Sequence, residues 1–600
     1  MVSMVKMFNG IKENLKIPSF FQKVTITSLY KNKGPKNDFA NQRGIFNVSK
    51  VRSILDKIIY EDVYKTIDDK LSQSNIGGRK GRNIRDHLFI VYGILTDVIN
   101  GSCPTVDIQS IDIRKCFDEM WFEDAHNDLY DVKITDNKFA LIAKLDEAAN
   151  VIVKTPCGVT EEFELNKLVM QGSVFGPIKA TTQIDTVGRD CRNYNQGMFL
   201  YKNVLSIVPL SFIDDCLGFS KCGSDTVELN AILNTKISSK KLRLSEEKCH
   251  HLHFSKSSSK CYTSLKSDKS TMKKSSKCSY LGDILSTDGS IDATIEQRRQ
   301  KGIGICSQIT GIVNGLSLGN YYFKIGFFLR EVMLINGILT NSDVWYPVKD
   351  SQIEILEKVD LMLLRKLTNG HSKTAKEAFY LETGSLPMKF VIMKRRLMYL
   401  HTILRRPDTE LTKQFYGVQK TICTKGDWFG IVMKDRKELN ISHTDNDIAT
   451  MSQDMFRTLV KKSIERKALT YLNSLAMGHS KSVDLVKTRF ERESYFEDNN
   501  FSKSEVELLF ALRTRTIRNI KKNFASQFSN NMDCQLCCLH EDSQEHLLQC
   551  SELVTRVKIP TDIHYSDVFK GSEKQLKIGR IIKQLAFRHA DACLTLLRKI

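Results

Sequence analysis

The sequence predicts an α+β fold that gives way to a mostly helical second half, and three patterns carry that expectation. VDIQSIDI (106–113) alternates and is rich in β-branched residues, as a half-buried strand is. ANVIVKTPCGVTEEFEL and SIVPLSFIDDCLGFS each join two such runs across a short break, as hairpins do. Beyond about Gly302 apolar residues recur at helical spacing instead, as in IEILEKVDLMLLRKL (353–367) and MKFVIMKRRLMYLHTIL (388–404). Strand, helix, hairpin and helix in succession make an α+β unit rather than an alternating one.

Composition narrows the class. At 600 residues the chain exceeds what one hydrophobic core supports, and ordinary domain sizes predict roughly three to five compact units. Hydrophobic residues at 41% with 26% charged residues exclude a disordered chain. No run of about eighteen apolar residues occurs, so no membrane span is expected. The start MVSMVKMFNGIKENLK lacks the apolar stretch of a secretory signal, and sixteen scattered cysteines form no even framework, which points to a reducing compartment. A formal charge of +20, from 89 Lys and Arg against 69 Asp and Glu, favours a polyanionic partner, nucleic acid first.

Taken in order, Val51, Ile54, Leu55, Ile58, Ile59 and Val63 mark a helix reaching Leu71, and a second helix is expected from His87 to Ile99. Between them SQSNIGGRKGRN (72–83) reads as a basic glycine loop. The strand at 106–113 brings Asp112 to its end. The first hairpin should turn at Pro156 to Gly158, and the second should carry Asp214 and Asp215 at its turn. VMQGSVFGPI (169–178) lies between them, with Gly172 allowing close backbone approach and Pro177 near a helix start. Ser255 to Cys278 is rich in Ser and Lys and is expected to be a mobile, solvated loop. Farther on, Lys394, Arg395, Arg396, Arg405 and Arg406 are candidates to line a nucleic-acid channel.

The carboxylates are the chemically pointed feature. Nucleotidyl transfer uses two divalent ions about 4 Å apart, and Mg²⁺ prefers carboxylate oxygens. IDIRKCFD supplies Asp112 at a strand end and FIDD supplies Asp214 and Asp215 at a turn. In order and context these strings resemble the non-LTR retrotransposon reverse transcriptases. Asp112 to Asp118 is similar to that family's first aspartate motif, Gln171 and Gly172 to its Gln-Gly motif, and Phe212 to Asp215 to its aromatic-x-Asp-Asp motif. NQRGIFNVSKVRSILDKIIY (41–60) and SNIGGRKGRN (74–83) resemble its fingers motifs, LRLSEEK (242–248) its lysine motif, and YLGDILSTDGS (280–290) its primer grip. NGILTNSDVWYP (336–347) resembles a thumb-side block, and the likeness continues through LRTRTIRNIKKNF (512–524). Ile213 departs from the pattern, standing where a smaller residue is commonest.

The resemblance implies a right-hand polymerase: fingers and a palm with an antiparallel sheet over 1–277, then primer grip, thumb and helical extension over 278–410. A helical linker over 411–525, a zinc module over 526–555 and a basic helical tail over 556–600 would follow. It implies an RNA-directed DNA polymerase that copies element RNA, by target-primed reverse transcription, with an inactive or host-adopted RNA-binding descendant as the alternative. Asp112 and Asp214 would hold two Mg²⁺ ions, with Asp215 assisting and Lys248 protonating the leaving pyrophosphate. Arg43, Arg79 and Lys80, with Arg82 equally placed, would be the candidates to hold the triphosphate, Gln171 and Gly172 would line the nucleotide site, and Phe117 would gate the sugar. The partners implied are an RNA template, a DNA primer or nicked target DNA, and deoxynucleoside triphosphates, with no membrane. Work in the nucleus would follow synthesis in the cytoplasm. Relatives usually carry an endonuclease, which is expected to be supplied elsewhere.

CQLCCLHEDSQEHLLQC stands apart from the polymerase motifs. Cys534, Cys537, His546 and Cys550 have a C-x2-C-x8-H-x3-C spacing that suits tetrahedral, structural Zn²⁺. Cys538 is an alternative to Cys537 and His540 a spare donor.

Overall fold

The computed structural model describes residues 2–583 apart from 33, 39–40, 148, 156–157, 166, 168–169, 171–172, 195–197, 222, 257–263, 268–269, 317–320, 347, 518–519, 524–531, 535, 558, 561, 572 and 582. The chain forms two compact units, Met1–Ile291 with Arg406–Gly430, and Asp292–Arg405 with Ile431–Ile600.

In the first unit the principal elements run β1 (Lys23–Tyr30), β2 (Gln42–Asn47), α1 (Lys50–Asp68), α2 (Ile84–Asn100), β3 (Thr105–Asp112), α3 (Cys116–Glu119), β4 (Asn150–Thr155) and α4 (Gly176–Tyr194). They continue with β5 (Leu210–Phe212), β6 (Asp215–Ser220), α5 (Ser224–Ser239), β7 (His250–Ser255) and β8 (Lys273–Lys274). Ser49 caps α1 by accepting from the Arg52 amide, and the helix buries Leu55, Ile59, Val63 and Ile67. For α2 the start lies at Ile84, ahead of the expected His87. The reason is a capping box in which Asn83 and Asp86 satisfy each other's backbone amides.

Two sheets result. One has the order β2-β1-β4, extended by Gly158–Val159, so the first predicted hairpin is present while residues 156–157 of its turn lie outside the described residues. The other has the order β8-β7-β3-β6-β5, antiparallel except for β7 with β8. Strand β3 is buried on both faces, and its polar side chains are satisfied. Asp107 accepts hydrogen bonds from Thr226 (2.8 Å) and His253 (2.7 Å), and the Gln109 amide donates to the Thr226 carbonyl (2.8 Å).

Two expectations are corrected here. The Ser/Lys-rich segment after Ser255 is not simply a solvated loop over its described part. Leu265 and Met272 are buried in the same apolar cluster as Leu229 and Leu233 of α5, and β8 pairs with His250 and His251. Two apolar anchors among the lysines are enough to pin it. The bases proposed for a channel are partly structural. Arg396 is buried against Asp435 (2.6 and 3.1 Å), Arg395 donates to Asn336 (2.8 Å), and Arg406 pairs with Asp86 (2.9 Å).

Residues 406–430 belong to the first unit through aromatic packing and buried ion pairs. Phe89 meets Phe415 and Trp428 edge-on, each with centroids 5.2 Å apart, and Tyr201 stacks on Phe415 at 4.1 Å. Lys202 reaches Asp427 at 2.5 Å.

The second unit is helical, built on α6 (Asp292–Gly315), α7 (Asp350–Thr368), α8 (Met388–Leu404), α9 (Gln453–Met477) and α10 (Lys503–Arg513). Besides the Arg396–Asp435 pair, its interior holds bidentate ion pairs of Arg330 with Asp360 (2.6 and 2.7 Å) and Arg513 with Glu382 (2.7 and 2.9 Å). Among the described residues no helix is long and apolar enough to cross a membrane.

Candidate active site and metal centre

Asp112 ends β3, and its register partner across the sheet is Asp215, the first residue of β6. Residues directly opposite on paired strands project from the same face, so these two carboxyls are neighbours. Asp214 directly precedes Asp215: the tight β5–β6 turn is Ile213-Asp214, closed by the pair Asp215 with Phe212. The Ile113 amide donates to the Asp214 carbonyl at 3.2 Å, which ties the turn to the end of β3. LRLSEEK lies along the same end, with the Ser245 amide donating to the Asp112 carbonyl (2.9 Å) and the Arg114 amide to the Arg243 carbonyl (2.9 Å).

Electrostatics follow from the crowding. Burial, opposed by a backbone hydrogen bond and reinforced by the Asp112 charge, holds the Asp214 carboxyl above the usual carboxylate range. Asp215 is pushed up to about 6 by burial and then by Asp214 and Asp112. Lys248 lies with its Nζ 2.9 Å from both oxygens of Asp112. Burial works against its charge, but the hydrogen bond to Asp112 and the charges of all three aspartates raise its proton affinity. The three carboxyls at this end of β3 offer hard oxygen donors of the kind Mg²⁺ prefers, and Lys248 already answers part of their charge.

The other predicted residues are placed as follows. Phe117 lies on α3, half-buried, and with Ile213 packs against the cluster that contains Ile111 and Ile113. Arg43 is on β2, where its charge lowers the proton affinity of both Asp118 and Asp214. Lys80 is exposed, ion-paired with Glu61 and over the Tyr64 ring at 4.5 Å. Gln171 and Gly172 lie outside the described residues.

Arg79 is not offered to a ligand. Its Nε donates to Asp68 at 2.6 Å and its Nη1 to the carbonyls of Ser72 (2.7 Å) and Asn75 (2.9 Å), with the side chain 1% exposed. It staples the glycine loop to the end of α1. Arg79→Ala is therefore expected to destabilise the fold by about 3 kcal/mol, the scale for removing one partner of a buried pair, and to leave the nucleotide KM unchanged. Denaturant unfolding alongside nucleotide titration checks both; a raised KM at unchanged stability would contradict this placement.

What motif reading misses is the support under the aspartate hairpin. The Ile76 amide donates to the Ser211 carbonyl (3.1 Å) and the Ser211 amide to the Ser74 carbonyl (3.0 Å), so the glycine loop lies along β5. The sequence signal is the Gly77-Gly78 pair.

In the second unit Cys534, Cys537, His546 and Cys550 have ligand atoms all within 4.8 Å of one another. The Cys534 and Cys550 sulfurs are 3.9 Å apart, and the Cys537 sulfur is 3.2 Å from His546 Nε2. Zn–S bonds of about 2.3 Å in a tetrahedron place sulfurs about 3.8 Å apart, so three thiols and one imidazole fit zinc. The backbone decides between neighbouring cysteines: Cys538 has φ +54° and is exposed, while Cys537 belongs to the cluster. The Cys537 thiol is held below its usual range, chiefly by a backbone hydrogen bond from Leu539, and burial and His540 lower His546; both shifts favour ligating forms.

Among curated proteins no sequence relative matches. Solved structures similar to the chain include a Candida tropicalis apo telomerase truncated from its C-terminal domain, 11% identical, covering 48% of this chain and 59% of that one, with a TM-score of 0.33. The chain thus spans less than two thirds of that protein. Apo telomerase from Candida tropicalis is 10% identical over 76% of this chain and 74% of that one, with a TM-score of 0.37. Candida albicans telomerase in complex with a telomeric RNA fragment is 11% identical over 70% and 68%, with a TM-score of 0.31. Residues 34–285 match the family described as reverse transcriptase (RNA-dependent DNA polymerase), and because that stretch holds the whole Asp112, Asp214, Asp215 and Lys248 arrangement, this part of the chain is a reverse transcriptase domain.

Proposed function

We propose that the chain is the RNA-directed DNA polymerase of a non-LTR retrotransposon, extending a DNA 3′-hydroxyl on an RNA template. The observation that carries the reading is the pairing of Asp112 with Asp215 beside the Asp214 turn, inside the reverse transcriptase match. The single ordered run of motifs and the Cys/His quartet after them support the retrotransposon assignment over other reverse transcriptases.

Bound Mg²⁺ would supply charge stabilisation at the reacting phosphate and lower the proton affinity of the attacking hydroxyl. Asp112 and Asp214, with Asp215, hold that charge in place at the end of β3. Lys248 stays protonated at neutral pH because the aspartates raise its proton affinity, so its Nζ can deliver a proton to the leaving pyrophosphate oxygen. Arg43 contributes positive charge for the triphosphate from β2. Phe117 occupies space beside the sugar and excludes a 2′-hydroxyl. Target-primed synthesis at a nick, an endonuclease supplied by another protein and action in the nucleus complete the proposal.

Phe117→Val is expected to raise ribonucleotide use relative to deoxyribonucleotide by about tenfold or more, since lost steric exclusion of this kind is worth 1–3 kcal/mol. The ratio of kcat/KM values for the two sugars reads it, and an unchanged ratio assigns Phe117 to the core alone. The reading as a whole is tested by DNA synthesis on a primed RNA template with Mg²⁺.

A further inference from the structure

Ile213, in the aspartate turn, has φ +56°. A β-branched residue rarely adopts this left-handed backbone unless its surroundings impose it. The two-residue β5–β6 turn asks for positive φ at its first position, and the glycine loop packs directly against that residue. A Cβ built on Gly77 would lie 2.8 Å from the Ile213 backbone nitrogen, 2.9 Å from Ile213 Cγ1 and 2.8 Å from Thr181 Oγ1, so only glycine lets the loop sit this close.

The approach is held by side chains on α4 and in the loop itself. Thr181 Oγ1 donates to the Gly77 carbonyl (2.7 Å), the Asn75 amide donates to the Thr181 carbonyl (3.1 Å), and Asn75 Oδ1 accepts from the Gly77 amide (3.2 Å). Thr181 is fully buried and Asn75 nearly so, so water does not compete for these bonds. We infer that Gly77 and Thr181 are positioning residues: they hold Ile213 in its left-handed conformation and so set where Asp214 and Asp215 present their carboxylates. The inference rests on the reading of those carboxylates as metal ligands. Neither residue touches substrate in this account; both act through the turn.

The test uses the full chain and Mn²⁺ as probe, with free Mn²⁺ followed by electron paramagnetic resonance, beside primer extension. Gly77→Ala is expected to weaken Mn²⁺ binding and lower kcat by about tenfold or more, as sub-ångström to 1 Å misplacement does, with the nucleotide KM little changed. Thr181→Val keeps the volume and removes the hydrogen bond, and should shift the same two quantities by about threefold to tenfold. Adding Ile213→Gly to Gly77→Ala relieves the backbone strain and the Cγ1 contact but leaves those with the Ile213 nitrogen and Thr181 Oγ1, so the Mn²⁺ affinity should recover only in part.

Wild-type Mn²⁺ affinity and kcat in both single variants would overturn the inference, as would losses that merely follow the folded fraction. Should Gly77→Ala fail to fold, Thr181→Val decides alone: unchanged Mn²⁺ binding overturns, weakened binding supports. A wild-type protein that binds Mn²⁺, loses it in these variants, yet makes no DNA would uphold the positioning role and defeat the polymerase reading.

Discussion

Asp214→Asn is expected to abolish primer extension while the protein remains folded. The substitution removes one of the carboxylate charges that the proposed function assigns to the metals, and a loss of about 4 kcal/mol in transition-state stabilisation corresponds to roughly a thousandfold in rate. Stability should not suffer, because Asp214 is held above its usual carboxylate range by burial and by Asp112, and Asp215 is raised in part by Asp214. Neutralising one member of this crowded group relieves the repulsion on the others. Single-turnover extension and thermal unfolding, measured on the same preparation, check the two halves of this expectation. Activity near the wild-type level would remove Asp214 from the chemistry.

The second large effect is local unfolding on loss of zinc. The fully buried Cys550 sits against Cys534, and burial with the neighbouring Cys534 pushes its thiol up to about 11. Without a metal to stabilise thiolates, the quartet has little to hold it, and structural zinc sites contribute about 10–16 kcal/mol of apparent binding energy at pH 7. Reduced protein should therefore carry about one zinc per chain, consistent with a four-ligand structural site. Cys550→Ser or chelation should expose amides around residues 532–550 to hydrogen exchange while extension on a saturating primed template persists. Metal analysis that finds no zinc, or chelation that leaves exchange unchanged, would contradict the assignment.

The parts legible in the sequence are those where local pattern and chemistry coincide. Alternation around 106–113 places Asp112 at a strand end, and FIDD between two short strands places Asp214 at a turn, while Asp215, expected at the turn as well, is the first residue of β6. The direct opposition of Asp112 and Asp215 is a matter of register, which neither string contains. Arg79 looks like a free loop base because its partner Asp68 lies in the preceding helix and only the tertiary fold brings them together. Arg396 hides the same way behind Asp435. Leu265 and Met272 are each a single apolar residue among serines and lysines, too sparse to show a period, yet both are buried. The choice of Cys537 over Cys538 turns on one left-handed φ. The return of residues 406–430 to the first unit rests on Phe415, Trp428 and Asp427 meeting partners more than two hundred residues earlier, which no window of sequence reveals.

The central claim is tested most directly by supplying the purified chain with an RNA template, an annealed DNA primer, deoxynucleoside triphosphates and Mg²⁺, and following the primer's length. Elongation to the template's end, dependent on the divalent ion and absent in Asp214→Asn, is the result this account predicts. Tight binding of the same primed RNA with no nucleotide added, in protein shown to be folded and metal-loaded, would contradict it and leave an RNA-binding protein in a polymerase fold.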